Sequence, residues 1–187
     1  MQTDDLTPAL PRRRLLAWTA GALVAGLGAS SQAVATHTVR PWPLSKPAPR
    51  LDLADLGGRR WRLGDWHGQV VVLNFWATWC EPCRAEMPSL FALQARRRVE
   101  GVHVCAVNYL ESAAKVAVFL ETLPARPTVL LDSDGEATSE WTPRVFPSTV
   151  LIGRDGVPAA TVLGGLDWGG NEAAALLRPL VEVRSRG

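Results

Sequence analysis

The segment "NFWATWCEPCRAEMPSL", residues 74–90, sets two cysteines two residues apart, between an apolar run and a stretch suited to a helix. The run, residues 70–76 (VVVLNFW), has strand length, is bounded by Gly68 and is interrupted only by Asn74, so it reads as a strand buried on both faces. From Glu81 to about Arg98 the pattern suits a helix. Leu90, Phe91 and Leu93 give it an apolar side, Arg96, Arg97 and Arg98 stand near its carboxyl end where cations are favoured, and Pro88 is expected to bend it. At such a junction Cys80 lies at the helix N-terminus and Cys83 almost one turn later, so the two sulfurs can touch.

That placement points to thiol chemistry. Unpaired N–H groups and the positive end of the helix dipole favour an anion at Cys80, which makes it the expected nucleophile. Cys83, further into the helix, is the expected resolving thiol that attacks the mixed disulfide. Pro82 suits the first turn, where a missing N–H costs no helical bond. A metal clip would need about four ligands. The chain has one C-x-x-C, His67 and His103 stand in no ligand spacing, and Met87 is the methionine near the pair, so no metal site and no cofactor other than the cysteine pair are read. A metal chaperone using the same pair remains the non-enzymatic alternative. A purely structural disulfide would close a very short loop and constrain little of the unfolded chain. Cys105, in "VHVCAV", reads as a small buried core residue.

The 187 residues, 47% hydrophobic, are enough for one domain with a real core. Twenty basic and eighteen acidic side chains nearly balance and are scattered, which gives no nucleic-acid footprint. The first 35 residues read as an export signal: Arg12, Arg13 and Arg14, a mild apolar stretch at 15–29, then Ala33-Val34-Ala35 as a cleavage site. The arginines followed by Leu15 and Leu16 fit the twin-arginine pattern, with a Sec signal or an uncleaved anchor as the other readings. The expected location is therefore periplasmic, soluble after cleavage near Ala35. Residues 36–50 hold four prolines and no periodicity, which predicts an extended linker with the domain at 51–187.

Within that domain, "LDLADLGGRRWRL" (51–63) reads as a β-hairpin around Gly57-Gly58. Strands are expected at 102–107, 128–131, 148–152 and 159–163, and helices at 113–121, 135–141 and 171–183, with a turn at 153–156. Strands alternating with helices imply an α/β fold with a central mixed sheet flanked by helices.

The string from Asn74 to Pro88 resembles the active site of the TlpA/ResA-type disulfide reductases, exported members of the thioredoxin superfamily. The resemblance covers roughly residues 51–187 and implies a thioredoxin-like fold with an N-terminal hairpin and a helical insert at 113–124. It also sharpens several residues. Ordinary thioredoxins carry a buried aspartate where this chain has Asn74, which cannot exchange a proton. Glu86, three residues after Cys83 and on the same helical face, matches the glutamate this family is expected to use as a partly buried acid; burial near a thiolate would raise its pKa. Pro147 in "FPST" (146–149) matches the superfamily's cis-proline loop, which would let the backbone near Phe146 receive an extended substrate strand beside Cys80. Trp76 and Trp79 read as packing residues, with Trp79 also shielding the sulfurs and counted with Phe146 and Pro147 as substrate-binding.

Glu81 and Pro82 are expected to tune the couple. A carboxylate beside Cys80 works against its thiolate, which favours a reductant nearer the ~ −270 mV of thioredoxin than the ~ −120 mV of DsbA. The expected function is an exported oxidoreductase that reduces disulfides in clients such as apocytochrome c or copper-site assembly proteins, with electrons from a membrane donor protein. An oxidase or isomerase of the same fold is the alternative. A thiol peroxidase would want Thr-x-x-Cys, whereas Thr78 stands two residues before Cys80. Trp168 and four other tryptophans give no functional signal.

Overall fold

The computed structural model describes residues 37–123 and 128–183. The expected export signal lies outside the described residues. In chain order the elements are β1 (Thr38–Pro41), β2 (Asp52–Asp55), β3 (Arg60–Arg62), β4 (Val70–Trp76), α1 (Glu81–Arg97), β5 (Val102–Tyr109) and α2 (Ala113–Leu120). They continue with β6 (Thr128–Asp132), α3 (Glu136–Trp141), β7 (Ser148–Ile152), β8 (Pro158–Leu163) and α4 (Asn171–Glu182). The strands form a mixed sheet in the order β1-β8-β7-β4-β5-β6-β2-β3. β4 runs parallel to β5 and antiparallel to β7, so the strand that leads into the cysteines sits in the middle of the sheet.

Every residue of β4 is buried, because the strand is packed from both sides. Side chains alternate across a strand. Val70, Val72 and Trp76 pack with Met87 and Leu90 of α1, Val116 of α2 and Leu177 of α4. Val71, Leu73 and Phe75 face the opposite cluster, with Trp141 of α3, Trp66 and Trp42. This is the thioredoxin-like α/β architecture that the sequence implies. The hairpin of β2 and β3 is present, its turn held by Asp55 Oδ1, which accepts from the N–H groups of Gly57 and Arg59. The insert helix α2 begins at Ala113, capped by the hydroxyl of Ser112. Among the described residues no helix is long and apolar enough to cross a membrane.

The linker expected over residues 36–50 is corrected. β1 pairs antiparallel with β8 at the sheet edge, and Trp42 is buried with its ring 5.8 Å from that of Trp141. Trp42 Nε1 donates to the carbonyl of Lys46 at 2.8 Å, which satisfies the one polar atom of the anchor. An edge strand accommodates Pro41, and all four residues of β1 are exposed, so no alternation marks it in the sequence.

Candidate active site

The site grows out of the end of β4. Cys80 is the N-cap of α1, with extended backbone, and its Sγ accepts from the N–H of Cys83 at 3.3 Å. Cys80 and Cys83 form a disulfide, sulfurs 2.03 Å and Cα atoms 5.3 Å apart. Cys83 is fully buried and Cys80 is 6% exposed. Of the two, Cys80 retains the greater exposure, as its reading as the attacking thiol requires. Glu81 and Pro82, in the first turn, are exposed beside the pair. Cys105 is buried on the opposite face of the sheet, and burial pushes its thiol far up, which leaves it inert.

One turn beyond Cys83, Glu86 is 5% exposed. Its carboxylate accepts from three N–H donors that converge from separate parts of the chain. Asn74 Nδ2 reaches Oε1 at 2.8 Å, and the Leu166 N–H and Trp168 Nε1 reach Oε2 at 3.1 and 3.2 Å. Burial pushes the Glu86 pKa up to about 7, against these hydrogen bonds, which lower it. The result is a carboxyl that can hold or release a proton near neutral pH. Asn74 also donates to Thr149 Oγ1 at 2.9 Å, joining β4, α1 and β7 in one buried network.

The Phe146–Pro147 peptide bond is cis, at the entry to β7. An apolar cleft of about 600 Å³ lies between the start of α1 and this turn, lined by Pro82, Glu86, Phe146, Pro147, Gly165 and Leu166, among others. Phe146 is half-buried, and its ring meets Tyr109 at 5.1 Å and the edge of Trp79 at 5.8 Å. Trp79 itself is 60% exposed, which corrects the packing role expected of it: it is a surface aromatic beside Cys80. Trp76 is the one that packs, fully buried and 5.2 Å from the ring of Phe119.

Sequence reasoning missed Trp168, Thr149 and Glu111. Trp168 and Glu86 are 82 residues apart, and no local pattern connects them. Thr149 belongs to the "FPST" motif and could have been read as a strand residue facing Asn74, its partner in the β4–β7 register. Glu111, a carboxylate directly after a buried strand, accepts from the N–H and the hydroxyl of Thr78 at 2.7 and 2.6 Å. Among the described residues no three His, Cys, Asp or Glu side chains converge as a metal site.

A disulfide at a helix start, with a buried acid on the same helix and a cis-proline turn on the same cleft as Pro82, is an arrangement that can carry thiol-disulfide exchange. Residues 44–159 match the AhpC/TSA family. The chain is 36% identical over 117 residues to the thiol-disulfide oxidoreductase ResA of Bacillus subtilis (strain 168), a match that covers 63% of this chain and 65% of that relative's length. The solved thiol:disulfide interchange protein DsbE from Chlorobium tepidum superposes with a TM-score of 0.67 at 29% identity, over 73% of this chain and 96% of that one. The pneumococcal exposed lipoprotein thioredoxin from Streptococcus pneumoniae strain TIGR4 gives 0.60 at 26% identity, over 72% and 100%. The chain thus belongs to the AhpC/TSA family and, across its thioredoxin-like domain, is similar to the ResA-named thiol-disulfide oxidoreductases.

Proposed function

We propose that this thiol-disulfide oxidoreductase works as a reductase of disulfides in exported proteins. The observation that carries the reading is Glu86: a buried carboxyl, one turn past the resolving cysteine, whose burial brings its pKa to about 7. In the reductive half-cycle the Cys80 thiolate attacks one sulfur of a client disulfide, and the client's other sulfur leaves as a thiolate that takes up a proton. Cys83 then gives up its proton, attacks Cys80 Sγ and breaks the mixed disulfide, which releases the second client thiolate. The client gains two electrons and the cysteine pair loses them. In this reading Glu86, three residues along the helix from Cys83, takes the Cys83 proton, and its pKa of about 7 suits a base that works near neutral pH.

The exposed Trp79, its ring partner Phe146 and the turn at Pro147, which lines one cleft with Pro82 of the cysteine motif, offer a surface that suits an extended client segment. A peroxidase reading would need a threonine three residues before Cys80, where Ala77 stands, and the hydroxyl of the neighbouring Thr78 is committed to Glu111. Clients with paired cysteines, an apocytochrome c or a copper-site assembly protein, and a membrane protein as electron donor complete the reading. The N-terminal export pattern and the exposed lipoprotein among the similar structures support a periplasmic or extracytoplasmic site.

The test is the reduction potential of the Cys80–Cys83 couple, by equilibration against glutathione or dithiothreitol. A value below about −220 mV is expected, and one above about −150 mV would mean an oxidant or isomerase and would overturn the reading.

A further inference from the structure

Glu111 lies outside the cleft and touches neither sulfur, yet it is tied to the loop that carries Cys80. The loop is a turn: the N–H of Cys80 donates to the carbonyl of Ala77 at 3.2 Å, with Thr78 and Trp79 between them. Trp79 is exposed and contributes little to fixing it. Thr78 is held twice, its N–H donating to Glu111 Oε2 at 2.7 Å and its hydroxyl to Oε1 at 2.6 Å. Oε2 also accepts from Asn108 Nδ2 at 2.8 Å, and Lys115 on α2 pairs with Oε1 at 2.7 Å.

The carboxylate is thereby anchored from β5 and from the insert helix before it reaches the loop. The register makes this possible, since Asn108 stands opposite Trp76, the last residue of β4. The backbone before Glu111 is unusual as well. Leu110 has a φ of +56°, a region that L side chains rarely occupy, and its own side chain is half exposed. Burial of Leu110 does not account for that conformation. The strained position directly precedes Glu111, which is buried with its carboxylate on Thr78, and such positions persist where the surrounding structure holds them.

We propose that Glu111 is a positioning residue of the redox site: by clamping both donors of Thr78 it fixes the Ala77–Cys80 turn and so aims Cys80 Sγ at the incoming sulfur. The clamp acts through geometry: it sets how Cys80 Sγ meets an incoming sulfur and how it meets Cys83, so it bears on the rate of exchange and on the ring-closing equilibrium of the pair. It rests on exchange at Cys80 and Cys83, and not on whether the protein donates or accepts electrons.

The test compares Glu111→Ala, Glu111→Gln, Thr78→Val and the Glu111→Ala/Thr78→Val double variant with wild type. Two quantities are read: the second-order rate constant of the reduced protein with 5,5′-dithiobis(2-nitrobenzoate), and the equilibrium constant of the couple against glutathione. The expected result is a rate lower by tenfold or more in Glu111→Ala and an equilibrium constant moved by at least fivefold. Glu111→Gln, which keeps an acceptor for the Thr78 N–H, should recover the larger part of both. Thr78→Val should be slowed, and adding it to Glu111→Ala should change little, because the hydroxyl then has no clamp to lose. Both quantities within twofold of wild type in Glu111→Ala, no recovery in Glu111→Gln, or independent losses in the double variant would overturn the proposal. Should Glu111→Ala not fold, Glu111→Gln and Thr78→Val decide: rates within twofold of wild type in both would overturn it, and a loss in Thr78→Val exceeding that in Glu111→Gln would support it. The wild-type potential separately tests the direction of electron flow.

Discussion

Nδ2 of Asn74, on the central strand, donates to Oε1 of Glu86, on the first helix, at 2.8 Å, and both side chains are buried. The strand position thus supplies a donor and the helix supplies the acid. A neutral amide there supports a carboxylate without competing for its proton, which leaves Glu86 as the group that titrates.

Glu86 gives the folded protein a pH dependence of definite sign. Its folded pKa of about 7 lies above the ordinary 4.5, so between those values the native state holds more protons than the unfolded chain. Stability therefore falls as pH rises through that window, by on the order of 3 kcal/mol in total. His103 acts in the opposite direction, since burial lowers its pKa and the native state holds fewer protons there. Glu86→Gln removes the first effect and keeps the second. Denaturant titrations of the oxidised protein from pH 5 to 8 should show the variant gaining on wild type by about that amount. A constant difference across this range would mean that Glu86 does not titrate there.

Asn74→Asp sets a second carboxyl within hydrogen-bond distance of Glu86 and removes the donor that Glu86 and Thr149 now share. Two such groups cannot both ionise cheaply, so the pair should retain one proton well above pH 7. The expected cost is about 1–3 kcal/mol, larger at pH 8 than at pH 5. Carboxyl titration followed by NMR would show the shared proton directly; two ordinary carboxyl titrations below pH 5 would refute it.

Trp79 and Phe146 meet edge to face, with Trp79 mostly in solvent, so the pair supports little of the fold. Trp79→Ala should change stability by roughly 0.5 kcal/mol. If the aromatic surface receives client segments, exchange with a small disulfide should stay within about threefold of wild type while exchange with a disulfide-bonded peptide slows by about tenfold, a difference worth ~1.4 kcal/mol. Equal slowing with both substrates would place the role of Trp79 in the chemistry of Cys80.

The core of this arrangement was legible because it is local. Residues 70–76 are apolar except for Asn74 and all buried, and Cys80, Cys83 and Glu86 follow at helical spacing, so strand, helix start and acid could be read from one stretch. The contacts that complete the acid are not local. Trp168 and Leu166 approach Glu86 only because the loop after β8 folds against α1, and the sequence around them carries no mark of it. Nothing in the residues around Glu111 marks it either, because its partner Thr78 lies 33 residues earlier.

The prolines of residues 36–50 concealed a docked segment in the same way, and this makes the last prediction. Trp42 fills a place in the core against Trp141, with its indole nitrogen paired to Lys46, and β1 protects the otherwise open edge of β8. Trp42→Ala should therefore destabilise by about 3–5 kcal/mol, the range for truncating a large buried aromatic. A chain starting at Leu51 should melt well below one starting at His37, although both keep the cysteines, Glu86 and Pro147. Thermal unfolding of the two chains in the oxidised form checks this. Equal midpoints would return the segment to the tether that its prolines suggest, and a large gap would fix the start of the folded domain at β1.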